Sequence, residues 1–325
     1  MFSYRTILKQ ALGLSWKNKY LWILGLFASL TIAGGSIEYQ FITQSFNQGI
    51  LNTSYQGLAD LLGIAAVFEA LYIGIVDLFS QNIIVILNSL SIILLTLTLL
   101  FVAIWLAISS QAGLVDMAKK LINPKKKVID LSLRSAITIG HQHFWPVLGL
   151  NILIRLLISA ALFVVSLPLL FMMVSNSYVL IGVYTALFVI FVPLAVSLSL
   201  MVKYAISYKV LEGESTINSL EKGYSLFKKN WLISLETALI LFFVTLFSSF
   251  LLLIAMTIIL LPIFITGLIL SINWLTYLAL FIAIFVIIMF GSFMTTFQIT
   301  SWTSLYLHLR ENKALAKLER LFRKK

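Results

Sequence analysis

No cysteine occurs in the 325 residues, which removes disulfides, thiolate nucleophiles and thiolate-ligated zinc together. Histidine is almost as scarce, with only His141, His143 and His308. His141 and His143 stand two apart and so point to different faces of a helix, whereas a helical metal pair needs a spacing of three or four. They read as interfacial polar residues, and no metal or cofactor is expected. HExxH, GxSxG, GxxxxGK[ST] and the dinucleotide-binding glycine fingerprint are all missing, so no enzyme activity is expected either. The largest deficit is in charge: 11% of residues are charged, against roughly a quarter in soluble domains.

Apolar residues take the place of the missing charge. They make up 61% of the chain, and a composition this far from the soluble average is that of an integral membrane protein. The net charge of +11 invites a nucleic-acid partner, but such proteins cluster their bases on a polar fold; here the bases punctuate apolar runs, and no nucleic acid is expected. Six runs approach the roughly 20 residues needed to span hydrocarbon: Tyr20–Gly35, Ile83–Gly113, Trp145–Val174, Tyr178–Tyr208, Trp231–Ser271 and Trp274–Leu307. The first is short, and Trp231–Ser271 is long enough to tilt, kink at Pro262 or leave the core. The fold class predicted is all-α, a polytopic membrane helix bundle in a single membrane domain over 1–325.

Arginine and lysine set the orientation. Arg5, Lys9, Lys17 and Lys19 precede the first run, Lys119 to Arg134 separate the second and third, Lys209 to Lys229 separate the fourth and fifth, and Arg310 to Lys325 follow the last. The intervening connections Ser36–Asn82, Ser175–Ser177 and Ile272–Asn273 contain neither. Positive residues stay on the cytoplasmic side, which predicts cytoplasmic termini in a cell inner membrane. Leu61–Phe79 is apolar but carries Glu69 and Asp77; were it to span, Lys125–Lys127 would be forced outside, so it reads as interfacial or re-entrant. Lys17 and Lys19 before LWILGLFASLTIAGGS have the outline of a secretory signal, but the basic region is long and already helical in its apolar spacing, so cleavage is not expected.

Three segments lead from a basic amphipathic approach through an aromatic step into a span: TILKQALGLSWKNKYLWILGL from Thr6, VIDLSLRSAITIGHQHFWPVLGL from Val128 and STINSLEKGYSLFKKNWLISL from Ser215. Leu8-Lys9-Gln10-Ala11 aligns with Leu133-Arg134-Ser135-Ala136, Tyr20 falls opposite Trp145, and the third copy fits with a one-residue slip near Trp231. Apolar residues recur at helical spacing at Ile217, Leu220, Tyr224, Phe227 and Trp231, and at Ile129, Leu133, Ala136, Gly140 and Phe144. Such helices lie in the membrane interface with their bases near lipid phosphates. The expected repeat unit is one such helix followed by a transmembrane hairpin, over approximately 1–118, 119–213 and 214–325.

The stretches LKQALGLSWKNKYLWILG and AISYKVLEGESTINSLEKGYSLFKKNW resemble an integral-membrane superfamily that includes the YciC-like bacterial proteins and the membrane domain found beside glycerophosphodiester phosphodiesterases. That resemblance implies a multi-pass inner-membrane protein. No counterpart of the phosphodiesterase catalytic domain is present, so that activity is not implied.

Ionisable residues at membrane depth are the sharpest remaining signal. Arg155 lies ten residues beyond Trp145, about 15 Å along a helix; Glu236 lies five beyond Trp231, and Lys203 enters the same zone from the fourth run. Charges there are costly and usually face a bundle interior. Two arrangements satisfy them. In one, Glu236 pairs with Arg155 or Lys203, with Asn151 nearby, around a polar pocket; in the other, the bases snorkel to headgroups and Glu236 starts a helix. Lys125, Lys126, Lys127, Arg134, Lys228 and Lys229 are candidate contacts to anionic lipid headgroups. Function then lies between a transport or lipid-handling module and a non-catalytic scaffold docking proteins or lipids.

Overall fold

A computed structural model describes residues 4–33, 83–123, 132–175 and 179–311. Leu61–Phe79 and Lys125, Lys126 and Lys127 lie outside them. The described elements are helices: α1 (Tyr4–Lys17), α2 (Leu21–Ala33), α3 (Ile83–Ile122), α4 (Leu133–Gln142), α5 (Phe144–Ser175), α6 (Val179–Glu212), α7 (Thr216–Lys229), α8 (Trp231–Ile269) and α9 (Asn273–Arg310). Five of them, α3, α5, α6, α8 and α9, are long and apolar enough to cross a membrane, and α2 is a shorter apolar helix. The protein is an all-helical polytopic bundle. Its long helices expose apolar side chains in a way no soluble fold does: Leu94, Leu95, Leu97, Leu99 and Leu100 of α3 are each more than half exposed, on every side of the helix, which only hydrocarbon makes tolerable.

The chain forms two compact units. One comprises Ala33–Trp105 and Leu157–Ala195; its described parts are apolar helix, with Tyr184, Phe188 and Phe191 stacked in sequence along α6. The other comprises Met1–Ile32, Leu106–Leu156 and Val196–Lys325 and carries the candidate residues.

Within this second unit the C-terminal half of α9 is the central post. From Ser292 to Leu309 only Phe293, Gln298 and His308 are not fully buried, and the core gathers on it: Ile7 and Ala11 from α1, Leu200 and Tyr204 from α6, Ile233 and Leu241 from α8, with Phe297, Trp302, Leu305 and Tyr306 of α9 itself. This half is rich in serine and threonine, which let neighbours approach closely between the larger Phe297, Trp302, Leu305 and Tyr306. Their hydroxyls are satisfied within the helix, Ser292 donating to the Ile288 carbonyl at 2.8 Å, Ser301 to Phe297 at 2.7 Å and Thr303 to Ile299 at 2.9 Å, the usual solution for hydroxyls inside tightly packed membrane helices.

Three times a short helix is followed, after a brief break, by a more apolar one: α1 and α2, α4 and α5, α7 and α8. The starts of α4 and α7 are built alike. Ser132 and Ser215 are N-caps whose hydroxyls accept from the Ser135 and Asn218 backbone N–H groups, supplying one of the partners a helix start lacks. The ends of all three are alike too. The Asn18 side-chain amide donates to the Leu14 carbonyl at 2.9 Å, His143 Nδ1 lies 3.0 Å from the Ile139 carbonyl, and the Asn230 amide donates to Leu226 at 3.1 Å. Each partner is four residues back, at the point where the helical ladder stops.

Each short helix presents small residues to a long one. Ala11 and Ser15 of α1, Ala136 and Gly140 of α4, and Ser219 and Gly223 of α7 are all buried. α1 packs on α9. A Cβ added at Gly140 would lie 2.0 Å from the Ser109 carbonyl oxygen of α3, and one at Gly223 would lie 2.9 Å from the Ala205 nitrogen of α6, so these helices touch backbone to backbone. The stripe Ile217, Tyr224 and Trp231 points elsewhere, each residue being more than half exposed. α7 therefore has three sectors: small residues to the protein, large apolar residues outward, and Lys222 and Lys229 between.

The apolar runs underestimate two helices. α3 continues to Ile122 and α6 to Glu212, past the Gly113 and Tyr208 ends read from apolarity. These final turns are partly sheltered by protein, with Leu114, Val115, Met117 and Ala118 of α3 and Val210 of α6 buried. Pro262 does not break α8, which is continuous from Trp231 to Ile269.

Gly140→Ala is expected to lower stability by roughly 1–3 kcal/mol, as overpacking does, because the obstacle is backbone and cannot rotate away. Gly223→Ala should cost less. Ser219→Ala should be neutral or stabilising, since its buried hydroxyl finds no hydrogen-bond partner among the described residues and loses nothing on deletion. Thermal unfolding in detergent distinguishes the three; equal losses would mean that the close helix contacts do not set the packing.

Candidate functional site

The four residues expected to line a polar pocket are all in the unit built around α9, and each has a distinct contact. Asn151 on α5 donates to Gln111 Oε1 of α3 at 3.1 Å and to the Val147 carbonyl at 2.9 Å. Arg155, one turn further, donates from an Nη to the Thr31 carbonyl at 3.0 Å. Lys203 on α6 places its ammonium 4.6 Å from the centre of the Trp302 ring, a cation–π contact. Glu236 on α8 accepts from the Tyr4 hydroxyl of α1.

Arg155 is thus not the partner of Glu236. The Thr31 carbonyl belongs to the described part of α2, and a backbone acceptor satisfies a guanidinium without a carboxylate. Sequence reasoning looked for an opposite charge because backbone acceptors are invisible in a list of charged residues.

The same device recurs nearby. Lys119 at the end of α3 donates to the Leu211 carbonyl in the last turn of α6 at 2.9 Å, and Lys209 donates to the Glu214 carbonyl at 2.6 Å. Glu212 closes α6 against α9 by accepting from the Tyr306 hydroxyl and from Arg310 Nε at 3.1 Å. Neither Glu212 nor Tyr306 was among the candidates; the signal that could have found them is the acidic turn Glu212-Gly213-Glu214 interrupting a run of bases. Glu214 is bridged by Lys222, whose hydrogen bond holds the carboxyl below the usual range.

The candidate headgroup contacts that are described, Arg134 on α4 and Lys228 and Lys229 on α7, are exposed, as the phosphate-facing role requires. Arg5 and Lys9 of α1, which were not among them, are also exposed and, with Thr6 and Gln10, line a concavity of about 460 Å³. The histidines do not converge: His143 and His308 each bond a carbonyl of their own helix, and no group of three metal-ligating side chains occurs among the described residues.

Comparison with known proteins gives no match: no family model fits the chain, and no curated protein or solved structure aligns with it.

Arg155→Leu should destabilise the protein by about 1–3 kcal/mol, the cost of a stranded buried acceptor, and Arg155→Lys should recover part of it. The double variant Arg155→Leu/Glu236→Leu should lose the sum of the single effects, because the two side chains brace different helix pairs. Rescue in the double variant, read by thermal unfolding, would instead restore the direct ion pair.

Proposed function

We propose that the protein is a lipid-handling module of the cytoplasmic membrane, with both termini in the cytoplasm and three repeated units over approximately 1–118, 119–213 and 214–325. Its ligand class is anionic phospholipid of the inner leaflet. The observation that carries this reading is the build of the short helices. All three dock on the bundle through small residues and together expose Arg5, Lys9, Arg134, Lys222, Lys228 and Lys229, and two of them, α1 and α7, turn large apolar side chains outward at Leu12, Trp16, Ile217 and Tyr224. A helix docked this way holds its bases at a fixed height beside the membrane interface, where each base near an anionic surface contributes on the order of 1 kcal/mol. Transport of a small solute past Arg155 and Glu236 is the weaker reading, because both spend their polar groups on the protein itself.

The matching caps at Asn18, His143 and Asn230 support the repeat. Asn230 stands one residue before Trp231, where Asn18 and His143 stand two before Tyr20 and Trp145, which is consistent with the one-residue slip. The resemblance to the YciC-like superfamily points to the same multi-pass membrane setting.

That same self-satisfaction of the inner polar groups favours, as a second reading, a non-catalytic scaffold whose basic helices dock cytosolic proteins.

Two measurements follow. The cysteine-free chain allows single-cysteine labelling, and Asn273→Cys in intact cells should react with an impermeant thiol reagent while Asn218→Cys should not; labelling at Asn218 would invert the orientation. For the lipid, native mass spectrometry of the protein purified from its membrane should retain anionic phospholipid in excess over zwitterionic phospholipid. Equal retention, with a stoichiometric cytosolic protein bound instead, would establish the scaffold.

A further inference from the structure

We propose that α1 carries a discrete seat for one anionic phospholipid, its phosphate held by Arg5 and Lys9 and its acyl chains laid along Leu12 and Trp16. This rests on the lipid-handling reading and gives it a site.

The seat begins with the concavity on α1. At about 460 Å³, with Arg5, Thr6, Lys9 and Gln10 on its described wall, it falls within the size range of small-ligand sites. Its chemistry is one-sided. Arg5 offers a planar fork suited to phosphate oxygens, Lys9 a mobile point charge, and Thr6 a hydroxyl. Gln10 accepts from Ser304 through Oε1 at 3.4 Å, which turns the NH₂ end of its amide into the available donor. No carboxylate lines the described wall, so a cation or a zwitterion's ammonium gains nothing there, whereas a phosphate finds donors on each described side.

The second half of the argument is the direction in which the site continues. Residues 5, 9, 12 and 16 follow one another at four, three and four positions and so share one face of a helix. That face changes character along its length. Arg5 and Lys9 are followed by Leu12, 49% exposed, and Trp16, 60% exposed, both large apolar groups whose outer surface is left open. Trp16 stands edge-on to Phe293 of α9 and tilted against Trp22, with ring centres 5.7 and 6.0 Å apart, which ties this end of the stripe to the apolar helices. Arg5 and Trp16 are eleven residues apart, about 16 Å along the axis. A face charged for phosphate at one end and apolar at the other, merging with the spans, matches an amphiphile. It does not match a soluble phosphorylated solute, which would leave Leu12 and Trp16 in water.

α1 also differs from its two counterparts. It docks on α9, the central post, and its Tyr4 hydroxyl bonds Glu236, so the helix that carries the seat is fixed to the most heavily packed helix of the unit.

The test uses the full chain in phosphatidylcholine nanodiscs doped with phosphatidylglycerol, with native mass spectrometry counting retained lipid. Wild type should hold one phosphatidylglycerol through activation that strips the rest. Arg5→Gln/Lys9→Gln should weaken retention about tenfold, a loss of roughly 1.4 kcal/mol, and Leu12→Gln should weaken it as well. Arg5→Lys/Lys9→Arg, which keeps both charges, should retain the lipid if the loss is one of charge and not of folding. Should the Arg5/Lys9 variant hold the lipid as wild type does, the seat is not on α1, while the lipid-handling reading stands. No preference for phosphatidylglycerol in wild type removes that reading and the seat together. Displacement by soluble glycerol phosphate, with Leu12→Gln without effect, would make the site one for a water-soluble phosphate and overturn the lipid assignment.

Discussion

The second unit depends on the C-terminal half of α9 being buried on every side. A helix in that position cannot carry large side chains all round, because its neighbours would be held too far apart to exclude voids. Nor can it carry unsatisfied polar groups. Serine and threonine resolve the conflict. Their small side chains admit α1, α6 and α8 at close range, and their hydroxyls return to carbonyls one turn back. Thr296 does more than this, lying within hydrogen-bond distance of both the Ser292 carbonyl, at 2.9 Å, and the Leu21 carbonyl at the start of α2, at 3.2 Å. That second acceptor, with the close approach of Gly25 to the Ser292 carbonyl, registers α2 against the post.

With the post in place, the remaining problem at this end of the unit is the helix ends. Every helix leaves its last carbonyls without intrahelical donors. Basic side chains in this unit donate to backbone carbonyls of other helices: Arg155 to Thr31 of α2, and Lys119 to Leu211 in the last turn of α6. For Arg155 this accounts for a charge at apparent membrane depth with a backbone acceptor in place of a carboxylate. A cation at a helix C-terminus is favoured by the dipole as well as by the hydrogen bond, and the favour grows where water is scarce. Glu212 shows the complementary case, an acid that survives among bases because Tyr306 and Arg310 both donate to it.

Much of this plan was legible. The apolar runs located the long helices, and the aromatic steps at Trp145 and Trp231 located the breaks to within a residue or two, since α5 begins at Phe144 and α8 at Trp231. What escaped has a common physical cause. Apolarity measures partition into lipid, so it fails where a helix is sheltered by protein: the final turns of α3 and α6 were cut short, and the hydroxyl-rich half of α9 passed for ordinary span. Charge bookkeeping failed in a parallel way at Arg155, whose partner is a backbone carbonyl that every residue possesses and no composition reveals. The N-terminal cations Arg5 and Lys9 were read only as orientation signals, because the concavity they line exists only once the helix is built.

The small-residue faces of α1, α4 and α7 also decide what kind of membrane association these helices have. Contact between backbones at Gly140 and Gly223 brings dispersion and close packing but covers little apolar area, so it cannot by itself offset the exposure of Ile217, Tyr224 and Trp231 to water. A soluble setting would therefore leave α7 in conflict, held by a tight contact on one side and penalised on another. A lipid interface removes the conflict, because the outward stripe is then buried in the acyl boundary while the lysines beside it reach phosphate. The two attachments are made on different faces and do not compete. Under the lipid-handling proposal α7 is in this sense a strut between protein and bilayer, with the height at which its bases meet the headgroups set by the bundle and not by the lipid.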